Sequence, residues 1–300
     1  MMFFIRRNLG IIMLVLCILS VAVFAGYIYI DVLSQRSDKA PEFASVPELI
    51  TVSVSDSEDV IKSGIKASDK EDGDVSDSII VKEIGSFNED MTRDVVFAAF
   101  DSSNHVTEVT SKLKYSDYSS PEFKLTRPLV MTMSESGNIL SYIGATDVID
   151  GDLSGQIKIE TELDTTPGMH PFTVSVKNSA GDISKITFNV IIRTVSGSES
   201  APEIVLDNYL VYLKKGEQFD PKSRIQSVIS NCTVEVTEPA TGEEGGEPVK
   251  TETEQKLTKD DVTVDNGGFN SSVPGTYSIQ YTVTNALNNK GIAILTVVVR

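Results

Sequence analysis

The feature that most constrains this chain is internal repetition. Ile65-Lys66-Ala67-Ser68-Asp69-Lys70-Glu71-Asp72-Gly73-Asp74-Val75-Ser76 lines up with Ile143-Gly144-Ala145-Thr146-Asp147-Val148-Ile149-Asp150-Gly151-Asp152-Leu153-Ser154. Pro-Glu-apolar starts fall at Pro41, Pro121 and Pro202, spaced by 80 and 81 residues. Further on, Phe100-Asp101-Ser102-Ser103-Asn104 lies opposite Lys177-Asn178-Ser179-Ala180-Gly181. The third stretch lacks the acidic motif, yet its Pro274-Gly275-Thr276-Tyr277 matches Pro167-Gly168-Met169-His170. Repetition at a fixed period means that one supersecondary unit is used several times over.

Each unit closes on period-two sequence. Phe172 to Val176, Tyr277 to Val283 and Ile292 to Val299 alternate apolar and polar residues rich in Val, Ile, Thr and Tyr. This is the pattern of a half-buried strand. Turn formers separate the runs, as in Asn285-Ala286-Leu287-Asn288-Asn289, and no window outside the N-terminus carries a helical period. The expected fold is therefore all-β: tandem sandwiches at residues 41–118, 119–198 and 199–300. Linkers are expected near Ser116 to Ser120 and Ser196 to Ser200. Glu238 to Gln255, with Pro239, Gly242, Gly245, Gly246, Pro248 and several glutamates, reads as a mobile acidic loop inserted in the third unit (238–255).

The N-terminus differs in kind. Residues 1–8 are expected to be a short cytoplasmic N-terminus, and Leu9 to Ile30 is a run of 22 residues without charge. Such a run is long enough for a helix to cross a hydrocarbon core of about 30 Å. Arg6 and Arg7 precede it and Asp31 follows, so the bulk of the chain, after a linker at 31–40, is expected outside the membrane. The rival reading is a signal peptide cut after Val23-Phe24-Ala25, giving a secreted chain. The apolar run continues past Ala25 to Ile30, which favours retention as a transmembrane anchor over 9–30.

Charge and composition exclude several functions. The 300 residues carry a formal net charge of −17, from 43 acidic and 26 basic side chains. A surface of this sign repels nucleic acid, so no nucleic-acid partner is expected. Two cysteines rule out a disulfide scaffold, and two histidines without a recognisable nucleophile argue against an enzyme.

Taken together, the motif Ala145 to Ser154, the Pro-Gly-Thr-Tyr strand start and the Asn- or Gly-containing hairpin resemble a family of bacterial immunoglobulin-like domains. That family occurs in tandem on surface and secreted proteins, and in some pesticidal crystal proteins. The resemblance spans roughly residues 41–300. The first unit matches through Ala67 to Ser76 but has Met91-Thr92-Arg93-Asp94 where the family has Pro-Gly. The third matches through Pro274 to Val283 and Leu213 to Pro221, without the acidic motif. The resemblance implies immunoglobulin-like sandwiches and leaves the role open, because sandwiches serve many functions.

Asp69, Asp72 and Asp74, with Asp147, Asp150 and Asp152, form the sharpest constellation. Clustered carboxylates on a turn suit calcium, which takes six to eight oxygens. Asp-Gly-Asp equally makes a tight turn, with Asp bonding local amides and Gly supplying positive φ. Both readings stand at this stage. If the units share immunoglobulin topology, Asp117 and Glu122 would approach the motif of the second unit. His105 and His170 read as surface or turn residues, and Cys232 as a strand residue packed as a small hydrophobe. Asn231-Cys232-Thr233 and Asn270-Ser271-Ser272 match acceptor sequons, a pattern common by chance.

The expected function is a membrane-anchored, structural or adhesive surface protein whose loops and strand edges bind an extracellular protein or an envelope polymer. The alternative is a non-catalytic docking subunit of an envelope enzyme or secretion complex. No catalytic residue and no cofactor other than calcium is expected.

Overall fold

The computed structural model describes residues 2–37, 39–194, 200–230, 232–238 and 249–300. The chain divides into two compact units, Met1–Asp117 and Tyr118–Arg300. A helix, Met2–Ser37, opens the first. Within it Gly10–Val32 is a 23-residue stretch of mean hydropathy 2.8 with nothing buried against the protein. At 1.5 Å per residue it measures about 35 Å, enough to cross a bilayer. The helix runs past Ile30 through most of the segment expected to be a linker. No Gly or Pro interrupts it between Asp31 and Ser37, and Pro41 is the first helix breaker.

Tandem β-sandwich modules follow, built on three hydrophobic cores. Their wiring repeats. In the first, Glu42–Ser45 pairs antiparallel with Lys66–Asp69, which pairs in turn with Gly73–Asp74. Leu49–Val52 crosses to the facing sheet and pairs parallel with the last strand, Val106–Tyr115, beside Arg93–Phe100 and Ile80–Phe87. In the second, Glu122–Leu125 joins Ile143–Asp147, and Val130–Thr132 crosses to run parallel with Ile183–Arg193. In the third, Glu203–Leu206 joins Ile225–Ile229, and Leu210–Leu213 runs parallel with Lys290–Val299. Alternation explains the burial. Val95, Phe97 and Ala99 point inward from one strand, as do Phe172, Val174 and Val176 from another, all at most 1% exposed.

The second and third cores belong to one compact unit. Leu210, from a strand of the third module, is buried in the core of the second, with Tyr212 and Val298 packed against it. The Tyr212 hydroxyl accepts from Phe123 N at 2.9 Å, and the Arg300 guanidinium lies 4.0 Å from the centre of the Tyr212 ring. Asn189 Nδ2 donates to Ser278 Oγ at 3.0 Å. Within the third module Gly291 is required, because a Cβ at this position would meet Pro202 O at 2.0 Å.

The expected acidic loop at 238–255 needs correction at its second half. Thr233–Glu238 pairs antiparallel with Val249–Glu254, so this half is a strand. The reason is a Thr-Glu alternation that satisfies its backbone across the ladder despite its polarity. Residues 239–248 of that loop, the 195–199 part of the expected second linker, and Asn231 of the first sequon lie outside the described residues.

Candidate functional site

The two acidic motifs fold alike in their turns. In the first module Asp69 Oδ1 accepts the backbone N–H groups of Glu71 and Asp72, at 2.7 and 2.8 Å. In the second Asp147 Oδ1 accepts those of Ile149 and Asp150, at 2.9 and 3.1 Å. These are Asx turns, in which a carboxylate takes the place of a backbone carbonyl. Gly73 and Gly151 then sit at φ +81° and +73°, a left-handed conformation that glycine adopts without strain. Asp74 Oδ1 and Asp152 Oδ1 accept from Ser76 N and Ser154 N, both at 3.0 Å. The side-chain and backbone hydrogen bonds from these serines hold both carboxyls below the ordinary aspartate value.

The middle aspartate reaches across the pole. Asp72 accepts from Ser102 N at 2.7 Å and Ser102 Oγ at 2.9 Å. Asp150 accepts from Ser179 N and Ser179 Oγ, both at 2.6 Å. Each thereby ties the acidic turn to the hairpin that joins the last two long strands. These are charge-assisted bonds, stronger than neutral ones. In the third module Gln255 Oε1 accepts the corresponding amide, Ala286 N, at 2.9 Å, and also the Cys232 thiol at 3.1 Å. Cys232 is buried but lies just before the strand that starts at Thr233.

Next to each pin the hairpin closes on itself. Asn178 N donates to Asp182 O, and Asp101 N to His105 O. In the second module Asn178 Nδ2 donates to Asp147 Oδ2 at 3.2 Å and to the Tyr118 hydroxyl at 2.8 Å, and that hydroxyl donates to Asp182 Oδ2 at 2.7 Å. Burial, followed by the bond to Asp182, pushes the Tyr118 hydroxyl well above the ordinary tyrosine value. In the first module Asp101 stands in the place of Asn178. It accepts from His105 N at 2.7 Å and meets His105 Nδ1 at 2.8 Å. Burial works to raise the Asp101 carboxyl, and the bonds from His105 outweigh it and hold it low. Asp69 Oδ2, with no amide opposite, is buried without a hydrogen-bond partner.

The linker acids do not reach this pole. Asp117 accepts from Ser53 Oγ and Val54 N, at 2.6 and 2.9 Å, and Glu122 pairs with Arg300. Tyr118 makes the contact expected of them, a role with no signal in the sequence beyond its position before a Pro-Glu start. His170, expected on the surface or in a turn, lies within the strand Gly168–Lys177. Its Nδ1 is 3.5 Å from Asp164 and its Nε2 is 3.4 Å from the Thr166 hydroxyl, an arrangement that resembles a triad. The chemistry fails, however. Nε2 is 2.7 Å from Thr166 O, which only accepts, so this nitrogen carries a proton and cannot act as base toward the hydroxyl. The Thr166 hydroxyl donates instead to Asp164 Oδ1 at 2.8 Å.

Among the described residues no group of three or more His, Cys, Asp or Glu side chains is placed to hold a metal ion. Apart from Asp69 Oδ2, the motif carboxylates described above accept N–H and O–H bonds, the environment of a hydrogen-bonded turn.

No family model matches the chain. No curated protein matches it either. Among solved structures it is similar to the CBM51-2 and INT domains of Clostridium perfringens ZmpB, at 13% identity and TM-score 0.21, over 49% of this chain and 26% of that one. It is similar also to the M60 catalytic domain of ZmpB with its CBM51 domains, at 13% identity and TM-score 0.21, over 86% of this chain and 30% of that one. A third is Drosophila N-cadherin EC1-4, at 12% identity and TM-score 0.20, over 88% and 76% of the two chains. The chain thus spans under a third of the two ZmpB structures. At these TM-scores none of the likenesses carries weight for fold or function.

Proposed function

We propose that the chain is a membrane-anchored surface protein whose tandem immunoglobulin-like modules, 41–118, 119–198 and 199–300, present a binding surface in a structural or adhesive role. The observation that carries this reading is the pairing of two unlike parts. One is the Gly10–Val32 stretch, apolar and buried against nothing in the protein. The other is a run of sandwich modules in which hydrogen bonds tie the loops at one end to the neighbouring hairpin. Arg6 and Arg7 set the N-terminus inside and the modules outside. The six aspartates of the motifs serve in this reading as hydrogen-bond pins of the poles rather than as calcium ligands.

Expression of the full chain, followed by alkaline carbonate extraction and external protease treatment, tests the anchoring. The expected result is a chain of uncleaved mass that stays with the membrane while its modules are digested from outside. A soluble chain beginning at Gly26 would replace the anchor with a signal peptide. For the binding role, the full chain in nanodiscs is expected to retain whole cells or matrix. Stoichiometric co-purification of an enzyme, without such retention, would move the assignment to a docking subunit.

A further inference from the structure

The chain is acidic, so an unpaired cation on it calls for an explanation. Arg93 donates to Gly85 O, Arg224 pairs with Asp207 and Arg300 pairs with Glu122. The guanidinium groups of Arg127 and Arg193 make no ion pair or hydrogen bond among the described residues, and both residues line the same cleft of 580 Å³, between the second and third cores of one compact unit. Arg193 is half-buried, and its Nε is buried with no acceptor. Leaving such a donor unsatisfied costs about 1–3 kcal/mol. Arg127 is exposed and lies over the Tyr142 ring at 5.6 Å. Tyr209 and Ile292 complete an apolar wall.

The acids of the cleft form no ion pair with these two cations, although the charge of Arg193 adds to the Thr132 bonds that hold the Glu135 carboxyl below its ordinary value. Glu135 lies in the wall, but its Oε2 accepts from both Thr132 N and Thr132 Oγ1, at 2.7 and 2.8 Å. Glu203 also lines the cleft, where its charge acts on the Tyr209 hydroxyl, and among the described residues it forms no ion pair with either arginine. The volume falls in the range of small-ligand sites.

We infer that this cleft binds a carboxylate borne on a ring or other compact apolar body, with the guanidinium groups of Arg127 and Arg193 taking the two oxygens and Tyr142 and Tyr209 flanking the body. Guanidinium offers paired donors in a plane that matches a carboxylate, which an ammonium cannot do. The inference deepens the binding role proposed above by naming a ligand chemistry, and it does not depend on the anchoring.

Isothermal titration of the full chain in non-ionic detergent tests it, with D-glucuronate and benzoate as carboxylate probes and methyl glucoside and inorganic phosphate as controls. One carboxylate probe or both are expected to saturate a single site with Kd of about 1 mM or tighter. Methyl glucoside is expected to give no heat. Arg127→Gln and Arg193→Gln each weaken binding about tenfold or more, and Arg193→Lys, which keeps the charge and loses the fork, weakens it as well. The melting temperature of each variant is recorded alongside, and exposed Arg127 keeps the test valid if the Arg193 variants fold poorly. Absence of binding by both carboxylates, binding indifferent to Arg127→Gln, or saturation by phosphate alone would overturn the inference. None of these outcomes bears on the carbonate or cell-retention experiments.

Discussion

The poles of the first and second modules share the Asx-turn and serine N–H bonds of the acidic motif and its tie to the hairpin, and they part at the buried centre, where Asp101 stands opposite Asn178 across the repeat. In the second module the Asn178 amide bridges Asp147 and Tyr118, so that each buried polar atom has a partner. In the first, a carboxylate in the same place turns to His105, and Asp69 Oδ2 is left without a donor. The third pole varies further, keeping the hairpin and receiving its amide on Gln255. The lesson is that the hairpin amide must be received in every module, whereas the acceptor is free to change. The chemistry is conserved across the repeat at the level of a satisfied N–H rather than of a residue type.

The largest effect is expected outside the poles, where a side chain of the third module enters the core of the second. Leu210→Ala removes a buried side chain that crosses from one module into the other. It should cost about 2–5 kcal/mol and lower the melting of the second unit, as read by calorimetry. An effect under about 1 kcal/mol would show the two cores to be energetically separate despite the contact. Next comes Asn178→Asp, which converts the second pole into the first. It sets a carboxylate against Asp147 and strips Tyr118 of its donor, for a loss of about 1–3 kcal/mol in denaturant unfolding. The reverse exchange, Asp101→Asn, supplies the amide that Asp69 Oδ2 lacks. The melting temperature of the first unit should rise by about 2–5 °C; a fall would mean that the His105 bonds outweigh the missing donor.

Acid unfolding separates the poles more finely. Asp74 and Asp152 have folded-state values below 3.8, because Ser76 and Ser154 donate to their charged forms. A lowered folded value means that the contribution is fully present above the unfolded value and is lost as pH falls through the folded one. Ser154→Ala should therefore weaken the second unit near neutral pH and flatten its loss of stability below about pH 4. The smallest effect is expected from calcium. With the carboxylates already facing N–H donors, about 1 mM calcium should leave the melting curve unchanged, where a site of Kd near 0.01 mM would add roughly 2.7 kcal/mol. A calcium-dependent rise abolished by Asp150→Asn would decide for the cation reading.

Much of this architecture was legible in the residues. Period-two runs such as Phe172 to Val176 announced strands because side chains alternate across a sheet whatever it pairs with. Asp-Gly-Asp announced its turn because an Asx bond and a positive φ involve neighbours only. The hairpins opposite the motifs, at Asp101 and Asn178, followed from the repeat. The strand Val249–Glu254 escaped notice because its polar composition resembles a loop until a partner strand takes up its backbone groups. Asp117 and Glu122 were expected at a pole to which Tyr118 belongs.

By itself, then, the sequence determined what depends on neighbours along the chain: the apolar helix, the strand pattern, the acidic turns and their repetition. Tertiary structure alone decided which distant groups meet. It brought Gln255 to the hairpin amide of Ala286, carried Leu210 into the core of the preceding module, and set Arg127 and Arg193, far apart in the chain, on one cleft. The physical reason is that turn and strand propensities are fixed by local sterics and hydrogen bonds. The pairing of side chains across sheets and modules depends on where the fold returns the chain, which no short stretch of sequence encodes.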